Sequence, residues 1–300
     1  MSDLLECIPN VSEGRDAAAL EAIAAAIRAV PEVRLLDRHA DPDHHRTVFT
    51  FAGPLAAIVE AALAAAGEAV RRIDMRTHVG VHPRMGAVDV VPFVPLGRLT
   101  LADAVAAAHQ FGVAFAAATG IPVFYYGAAA RRPDRRELSQ VRLGQYEGLP
   151  ARLADPAAAP DAGPAVFVPR SGATAVGARG ALIAFNVWLD TDAVETARAI
   201  ARAVRTSTGG LPSVQAMGVL LRSRGCAQVS MNLTDPGRTS LWTVLEAVEG
   251  EAARHRVGIR GYELVGLCPE LALTEFRARG VPLPGFGEER VLEHALAGFG

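Results

Sequence analysis

Apolar residues recur along the chain at the spacing of strands and of helices, and the order of these spacings predicts the elements. A short apolar run predicts a strand over residues 3–8, and Asp16 can cap a helix over residues 17–29. The following segments predict two strands, a helix and a strand over residues 33–37, 47–52, 55–72 and 87–94. The first part of the chain therefore has the order βαββαβ.

The same order of elements returns in the second half of the chain. It predicts a strand, a helix, two strands, a helix and a strand over residues 181–188, 191–204, 214–222, 226–232, 239–255 and 262–268. A duplicated βαββαβ unit is typical of a ferredoxin-like fold. We therefore predict an α/β (α+β) protein with two ferredoxin-like βαββαβ subdomains in tandem, over residues 1–180 and 181–300.

The segment between the two repeats has features of its own. A helix over residues 101–118 and a strand over 121–126 precede an arginine-rich turn at residues 131–136. We interpret the Ala- and Pro-rich stretch 155–164 as the connection between the repeats. The glycine-rich stretch 172–180 predicts a closely packed wall against a ligand or the other subdomain.

Composition restricts the kinds of partner. Half of the 300 residues are apolar and the formal net charge is -2, a balance that does not favour binding to nucleic acid or to a membrane surface. We expect small-molecule substrates instead. All 30 basic residues are arginine, which excludes a Schiff base and a lysine-dependent phosphate loop.

The sequence gives no sign of export or membrane insertion. The first residues lack the basic and apolar regions of a signal peptide, and no apolar run is free of charges for long enough to cross a bilayer. We therefore expect a cytoplasmic protein. Cys7, Cys226 and Cys268 are far apart in apolar segments, so buried free thiols are predicted rather than disulfides or a metal cluster.

Histidines are concentrated in the first repeat. Five of the eight lie between its second and last strands, namely His39, His44, His45, His78 and His82. Histidine exchanges protons near neutral pH, so general acid–base catalysis is the first interpretation. The loop of residues 80–86 is longer than its counterpart in the second repeat, residues 257–261, and this makes His82 the candidate catalytic residue.

Metal binding is the alternative function of these histidines. His78 and His82 are four residues apart, a spacing that binds zinc when both residues lie on a helix. Gly80 and Pro83 predict a loop there, and no Cys or Glu completes a zinc pattern. We therefore expect no metal.

Four aspartates near these histidines are candidates for the carboxylate that orients a catalytic histidine, namely Asp37, Asp41, Asp43 and Asp89. Asp89 stands in an otherwise apolar strand and needs a partner if it is buried, whereas Asp43 is typical of a turn. Residues 9–15 lead from a strand into a helix, where backbone amides either bind an anion or are capped by a side chain. The arginine-rich turn either meets an acidic part of a substrate or is an exposed charged turn.

Five segments follow one another in the order of a known family as far as about residue 270, namely residues 6–15, 78–93, 172–179, 183–186 and 227–235. Together they resemble the glutamate formimidoyltransferase family, which is the formiminotransferase domain of the formimidoyltransferase-cyclodeaminase family, in its single-domain bacterial form. The family has a loop Gly-Glu-His-Pro-Arg-Met-Gly, whose histidine corresponds to His82. Its glutamate is replaced by Val81.

The resemblance implies transfer of a formimino group from N-formimino-L-glutamate to tetrahydrofolate in histidine breakdown, by a homodimer. It also implies a folate-binding stretch, consisting of Gly163, Pro164, Ala165, Val166, Phe167, Val168, Pro169, Arg170, Ser171 and Gly172. We further expect substrate contacts from Asn10, Ser12, His39, Arg46, His78, Arg84 and Asp89.

The implied reaction moves a proton between two nitrogens, because a folate ring nitrogen attacks the amidine carbon and the glutamate amine departs. We expect His82 to carry this proton while Arg46 or Arg84 holds a substrate carboxylate. Val81 leaves other interpretations open. They are a folate-dependent transferase with a different donor such as N-formylglutamate, a histidine-based amidine hydrolase with or without a metal, and a folate-binding protein without catalysis.

Overall fold

The elements follow the predicted order in both halves of the chain. The computed structural model describes residues 3–281 and 286–299. The first compact unit, Met1–Arg179, contains β1 (Leu5–Cys7), β2 (Asn10–Val11), α1 (Ala17–Arg28), β3 (Arg34–Asp41), β4 (Arg46–Gly53), α2 (Leu55–Arg72), β5 (Val88–Pro95), α3 (Leu101–Thr119), β6 (Val123–Gly127), α4 (Leu138–Val141), α5 (Gln145–Ala154) and β7 (Thr174–Ala178). The second, Gly180–Gly300, contains β8 (Ile183–Leu189), α6 (Val194–Val204), β9 (Val214–Leu221), β10 (Cys226–Leu233), α7 (Leu241–Arg254), β11 (Ile259–Val265), α8 (Thr274–Arg279) and α9 (Leu292–Ala295).

Strand pairing gives both units the same central topology. In the first sheet the order is β3, β4, the consecutive short strands β1 and β2, and then β5, with antiparallel pairing throughout. In the second sheet the order is β9, β10, β8 and β11, again antiparallel. In each repeat the first strand lies between the third and the fourth, which is the ferredoxin-like arrangement. The predicted fold class is confirmed.

The first sheet continues beyond the repeat through two parallel strands. β7 pairs with both β5 and β6, and α3 makes the long connection that parallel strands require. The glycine-rich stretch predicted as a closely packed wall thus contains a central strand. The close packing itself is present, because a Cβ on Gly177 would lie 2.4 Å from the ring of Tyr126.

The two faces of the first sheet have different environments. Phe49 and Phe51 of β4 belong to the core formed with α1, α2 and α3. Because side chains alternate along a strand, Arg46 points to the opposite face, and Asp41 lies directly across from it on β3. Residues of α4 and α5 pack near this second face, beside β6 and β7. The candidate chemistry of the first repeat is therefore on the face away from its three long helices.

The Ala- and Pro-rich stretch 155–164 does not connect the two units, so this prediction was wrong. The stretch lies within the first unit, and the division between units falls after Arg179. Asp161 accepts a hydrogen bond from the backbone N–H of Tyr125 at 2.8 Å and pairs with the buried guanidinium of Arg135 at 2.6 Å. This ion pair holds residues 155–164 against the first unit. Arg135, although it belongs to the arginine-rich turn, is therefore buried.

Helix α3 corrects the expectation about apolar runs. By length and composition it is apolar enough to cross a membrane, and it is the one such helix among the described residues. One such helix is weak evidence for a membrane span, because a core helix of a globular protein can be equally long and equally apolar. Ala104, Ala108, Phe111 and Phe115 of this helix lie in the core of the first unit.

Candidate active site

The loop between α2 and β5 carries His82 and is fixed on its carboxyl side by three other segments. Ser12 donates from its hydroxyl to the carbonyl oxygen of Gly86 at 2.8 Å. Gly86 also forms an isolated antiparallel bridge with Gly172. The backbone N–H of Met85 donates to the carboxylate of Asp89 at 2.8 Å. The position of His82 therefore depends on the start of the chain, on β5 and on the segment before β7.

A small, closely packed pocket beside this loop is lined by most of the predicted polar residues. Its walls are formed by Ser12, His44, His45, Arg46, His78, His82, Arg84 and Asp89. Four of the five clustered histidines are in this set. His39 is not, because it lies further along β3, paired in register with Val48. Asn10 is also outside the set, and its side-chain amide donates to the carbonyl oxygen of Ile8 at 3.1 Å.

His82 is held in its neutral form. Nη1 of Arg46 lies 2.6 Å from Nε2 of His82. A guanidinium has donors and no acceptor, so Nε2 must be unprotonated and accept this bond. Burial, followed by the positive charges of Arg46 and Arg142, holds the pKa of His82 well below its usual range. The ring is therefore unprotonated at neutral pH, with Nε2 engaged by Arg46.

His44 and Asp41 form a buried pair next to His82. Nδ1 of His44 lies 3.0 Å from Oδ2 of Asp41, and the backbone N–H of His44 donates to Oδ1 at 2.7 Å. The rings of His44 and His82 are 5.8 Å apart. Burial raises the pKa of Asp41, but its bonds with His44 outweigh burial and the pKa falls to about 2. Asp41 thus remains a carboxylate and orients the neighbour of His82.

His45 and His78 stack on each other on another side of the pocket. Their ring centroids are 4.3 Å apart, and the planes of the two rings are nearly parallel. Nε2 of His78 donates to the carbonyl oxygen of His45 at 2.8 Å, and Nδ1 accepts from Nε of Arg84 at 3.3 Å. Burial lowers the pKa of His78. The two ring nitrogens of His45 face the carbonyl oxygen of Val79 at 3.1 Å and Oε1 of Glu13 at 3.2 Å. This pair joins the loops that flank the pocket.

The amides at the start of α1 are occupied by side chains of the protein, which favours capping over anion binding. The backbone N–H groups of Gly14, Arg15 and Asp16 all donate to Oε1 of Glu13. Asp16 in turn caps the first turn through Ala18 and Ala19, as predicted. Burial raises the pKa of Glu13, but hydrogen bonds from His45 and these amides lower it to about 2.

Arg84 and Asp89, the remaining charged residues of the pocket, each pair with a residue of opposite charge outside it. Arg84 donates through both Nη atoms to Glu147 of α5, at 2.6 and 2.8 Å. Asp89 is buried and pairs with Arg142, which directly follows α4. Asp89 therefore has the partner that its position required, and it also holds the backbone of Met85 in the histidine loop.

Asp41, one of the four aspartates that the sequence offers as the partner of a histidine, binds His44. Sequence reasoning missed Glu13, Arg142 and Glu147 as residues of this region, and Glu13 lies 32 positions from His45. Arg142 and Glu147 lie 53 and 63 positions from their partners, and no local pattern marks them.

Known proteins match this chain along almost its whole length. A model of the N-terminal subdomain of the formiminotransferase domain matches residues 4–179, and a model of the formiminotransferase domain matches residues 184–278. The chain belongs to the formiminotransferase family. The family match identifies the chain as an enzyme that transfers a formimino group.

Curated relatives agree with this assignment. Glutamate formimidoyltransferase of Streptococcus pyogenes serotype M1 is 42% identical over 99% of this chain and 100% of the relative. Glutamate formimidoyltransferase of Thermoplasma acidophilum is 41% identical over 98% of this chain and 97% of the relative. Formimidoyltransferase-cyclodeaminase of Rattus norvegicus is 44% identical over 93% of this chain and 52% of the relative. A solved microcompartments protein from Desulfitobacterium hafniense has a TM-score of 0.21 at 11% identity over 88% of this chain and 94% of that protein, which supports no inference.

The stretch 163–172 of this formiminotransferase family member lies beside the histidine loop. Its last residues contact that loop directly, since the backbone N–H of Ala87 donates to the carbonyl oxygen of Ser171 at 2.9 Å. The ring of Phe167 packs 5.4 Å from that of Tyr146. Residues 163–166 are exposed. The stretch thus leads from solvent to the pocket edge.

Among residues 3–281 and 286–299, no group of three or more His, Cys, Asp and Glu side chains is placed to hold a metal ion. The three cysteines are buried free thiols, as the sequence predicts.

Proposed function

We propose that this enzyme transfers the formimino group of N-formimino-L-glutamate to tetrahydrofolate, giving 5-formiminotetrahydrofolate and glutamate, with His82 as general acid and base. One observation carries the proposal: a neutral histidine whose Nε2 is an acceptor stands in a pocket that also contains a guanidinium, 2.6 Å away. The family membership supports the class of reaction.

The reaction needs a group that first accepts a proton and then returns it. A bond forms between a ring nitrogen of the folate and the amidine carbon, and the bond from that carbon to the glutamate nitrogen breaks. His82 takes the proton from the attacking nitrogen and returns it to the departing amine. The lowered pKa of His82 suits this role, because the ring starts as a base at neutral pH and gives up its proton readily.

Arg46 is our choice for binding the donor carboxylate. Both Nη atoms of Arg84 are engaged by Glu147 in a two-bond pair. Arg46 faces His82, where the donor must lie if His82 is to reach its nitrogen. A guanidinium binds a carboxylate with two parallel hydrogen bonds and so fixes the donor's orientation.

The stretch 163–172 fits a folate at the pocket edge. It offers the exposed backbone of residues 163–166 and an aromatic surface at Phe167 and Tyr146, on which a flat ring system can stack. Its anchored end at Ser171 and Gly172 contacts the loop of His82. We propose that Gly163 to Gly172 position the tetrahydrofolate.

A panel of donors and acceptors tests the function. Release of glutamate from N-formimino-L-glutamate should require tetrahydrofolate and should produce a formimino-folate in equal amount. Release without folate would instead show a hydrolase, and a chelator would then reveal whether a metal takes part. Turnover of N-formylglutamate in preference to the formimino donor would identify the second candidate donor, which Val81 in place of the family's glutamate leaves open.

We also propose that the enzyme works as a cytoplasmic homodimer whose formiminotransferase subdomains span residues 1–180 and 181–300. Light scattering of the purified chain tests the dimer. A mass near twice the 31.5 kDa of one chain is expected, and a mass of one chain at all concentrations would contradict it.

A further inference from the structure

Arg46 occupies the nitrogen of His82 that catalysis needs. The guanidinium can only donate, so its 2.6 Å contact with Nε2 places an N–H on the lone pair of the ring. A histidine whose lone pair is engaged in this way does not accept a proton from a substrate. The pocket as it stands therefore holds the base in a covered form.

The position of Arg46 allows it to leave His82 without losing its place in the fold. It begins β4, directly across from Asp41, which supplies a neighbouring negative charge. Asp41 is itself held by His44. The backbone of Arg46 is thus fixed in β4, while its long side chain reaches into the pocket.

A carboxylate is a better partner for a guanidinium than a neutral imidazole. The carboxylate accepts two charge-assisted hydrogen bonds, whereas Nε2 accepts one bond without a countercharge. The pocket already contains one such pair, between Arg84 and Glu147. A donor that brings a carboxylate next to Arg46 will therefore draw it from His82.

We propose that Arg46 is a mask on His82 that the carboxylate of the donor removes. In the free enzyme the guanidinium covers Nε2, and on donor binding it turns to the carboxylate and exposes the base. Hydrogen bonds are exchanged and no covalent bond changes. The inference rests on the proposed function, because it assumes an amidine donor with a carboxylate, and it makes Arg46 a residue that decides donor specificity.

Kinetics with a donor that lacks a carboxylate separate masking from simple binding. The comparison uses formamidine and N-formimino-L-glutamate as donors, tetrahydrofolate as acceptor, and the wild type, Arg46→Met and Arg98→Met. Arg98 is exposed and pairs with Asp3, outside the pocket, so it controls for the loss of one arginine. If Arg46 masks His82, Arg46→Met should raise the rate with formamidine by about tenfold, the worth of one charge-assisted hydrogen bond.

The same variant should lose about a hundredfold in kcat/KM with N-formimino-L-glutamate, since the partner of the carboxylate is gone. Arg98→Met should show neither change. A rate with formamidine that stays at the wild-type level in Arg46→Met would overturn the masking role, because an arginine that merely binds the carboxylate has no effect on a donor without one.

Nuclear magnetic resonance of histidine-labelled protein supplies a readout that needs no turnover. On addition of L-glutamate, the Nε2 resonance of His82 should move from its hydrogen-bonded position towards its position in Arg46→Met, and His82→Asn assigns the signal. An Nε2 resonance that stays unmoved at saturating glutamate would overturn the proposal.

These results remain separate from a failure of the proposed function. If no donor reacts with folate in the wild type, the function is wrong while the resonance still reports on the mask. If N-formimino-L-glutamate reacts normally and the resonance is unmoved, the function holds and the mask does not exist.

Discussion

The pKa of His82 determines how far into acid solution the enzyme keeps its base. Burial and the charges of Arg46 and Arg142 lower this pKa below the usual value of about 6.5. The acid limb of kcat/KM, which reports groups of the free enzyme, should therefore lie below pH 6.5. Arg46→Gln removes one of the charges and should move the limb to higher pH.

The pH dependence of kcat/KM for glutamate release, measured in the wild type and in Arg46→Gln, tests this prediction. Arg76→Gln is a matched control, because Arg76 pairs with Asp74 at the surface. A limb at or above pH 6.5 in the wild type, or the same limb in Arg46→Gln, would show that these charges do not set the pKa of His82.

At the scale of residues, the sequence predicts the histidines of the pocket better than the charged residues that pair with its lining from outside. His82 and its neighbours are close in sequence to the strands that carry them, and comparison of the two repeats singles out their loop. Arg142 and Glu147 meet the pocket through tertiary packing of short helices with little periodic pattern. Their pairing with Asp89 and Arg84 therefore depends on the folded chain.

At the scale of elements, the histidine loop and the folate stretch are held together by an unusually close contact. Gly172 has a φ of +69°, and a Cβ there would lie 2.1 Å from the carbonyl oxygen of Met85. Gly172→Ala should lower the free energy of unfolding by more than the ~1–2 kcal/mol that a left-handed conformation costs, because the clash adds to the strain. It should also reduce transfer, since the loop carries His82.

Urea denaturation and the transfer assay check this prediction against Gly67→Ala. Gly67 lies inside α2, where a Cβ meets nothing within 4 Å. This control should stabilise the protein by up to ~1 kcal/mol, as alanine favours the helix. Equal stability of the two variants would mean that the contact at Gly172 does not hold the loop.

Elements with strong periodicity are predicted from the sequence and those without it are not. The amphipathic helix α1 starts at Ala17 behind its Asp16 cap, as expected. Strand β7 was missed because a buried parallel strand lacks alternation and its glycine weakens the strand pattern. The final strand, β11, begins three residues earlier than predicted, with a shift of register after Ile259.

For the whole molecule, four histidines and carboxylates with lowered pKa values, all buried or partly buried, predict two steps of acid destabilisation. His82 and His78 have lowered pKa values when folded, so below about pH 6.5 the unfolded chain takes up protons that the folded one excludes. The two histidines cost no stability above about pH 6.5. Below it, each lowers the free energy of unfolding by up to ~1.4 kcal/mol per pH unit.

Asp41 and Glu13 give the second step. Their pKa values are lowered to about 2, so their contribution is present above the usual carboxylate range and is lost as pH falls from about 4 towards 2. Urea midpoints between pH 8 and pH 2 should show both steps, and His82→Asn should reduce the first step, to which His78 also contributes, without changing the second. Midpoints that do not change between pH 7 and pH 5 would contradict the first step.

The architecture of two repeats follows from local pattern, because each repeat contains its own helix and strand signals. The role of residues 155–164 does not, since Pro and Ala composition is shared by linkers and by packed turns. Only the pairing of Asp161 with Arg135 shows which of the two this stretch is.

The most direct test of the account compares His82→Asn with His255→Asn in tetrahydrofolate-dependent glutamate release. His255 ends α7 in an exposed position, so it controls for the chemical change itself. We predict a fall in kcat of ~10²–10⁴-fold for His82→Asn, the range for loss of a general acid–base, with folate binding retained, and no change for His255→Asn. A kcat near the wild-type value in a folded His82→Asn protein would contradict the central claim.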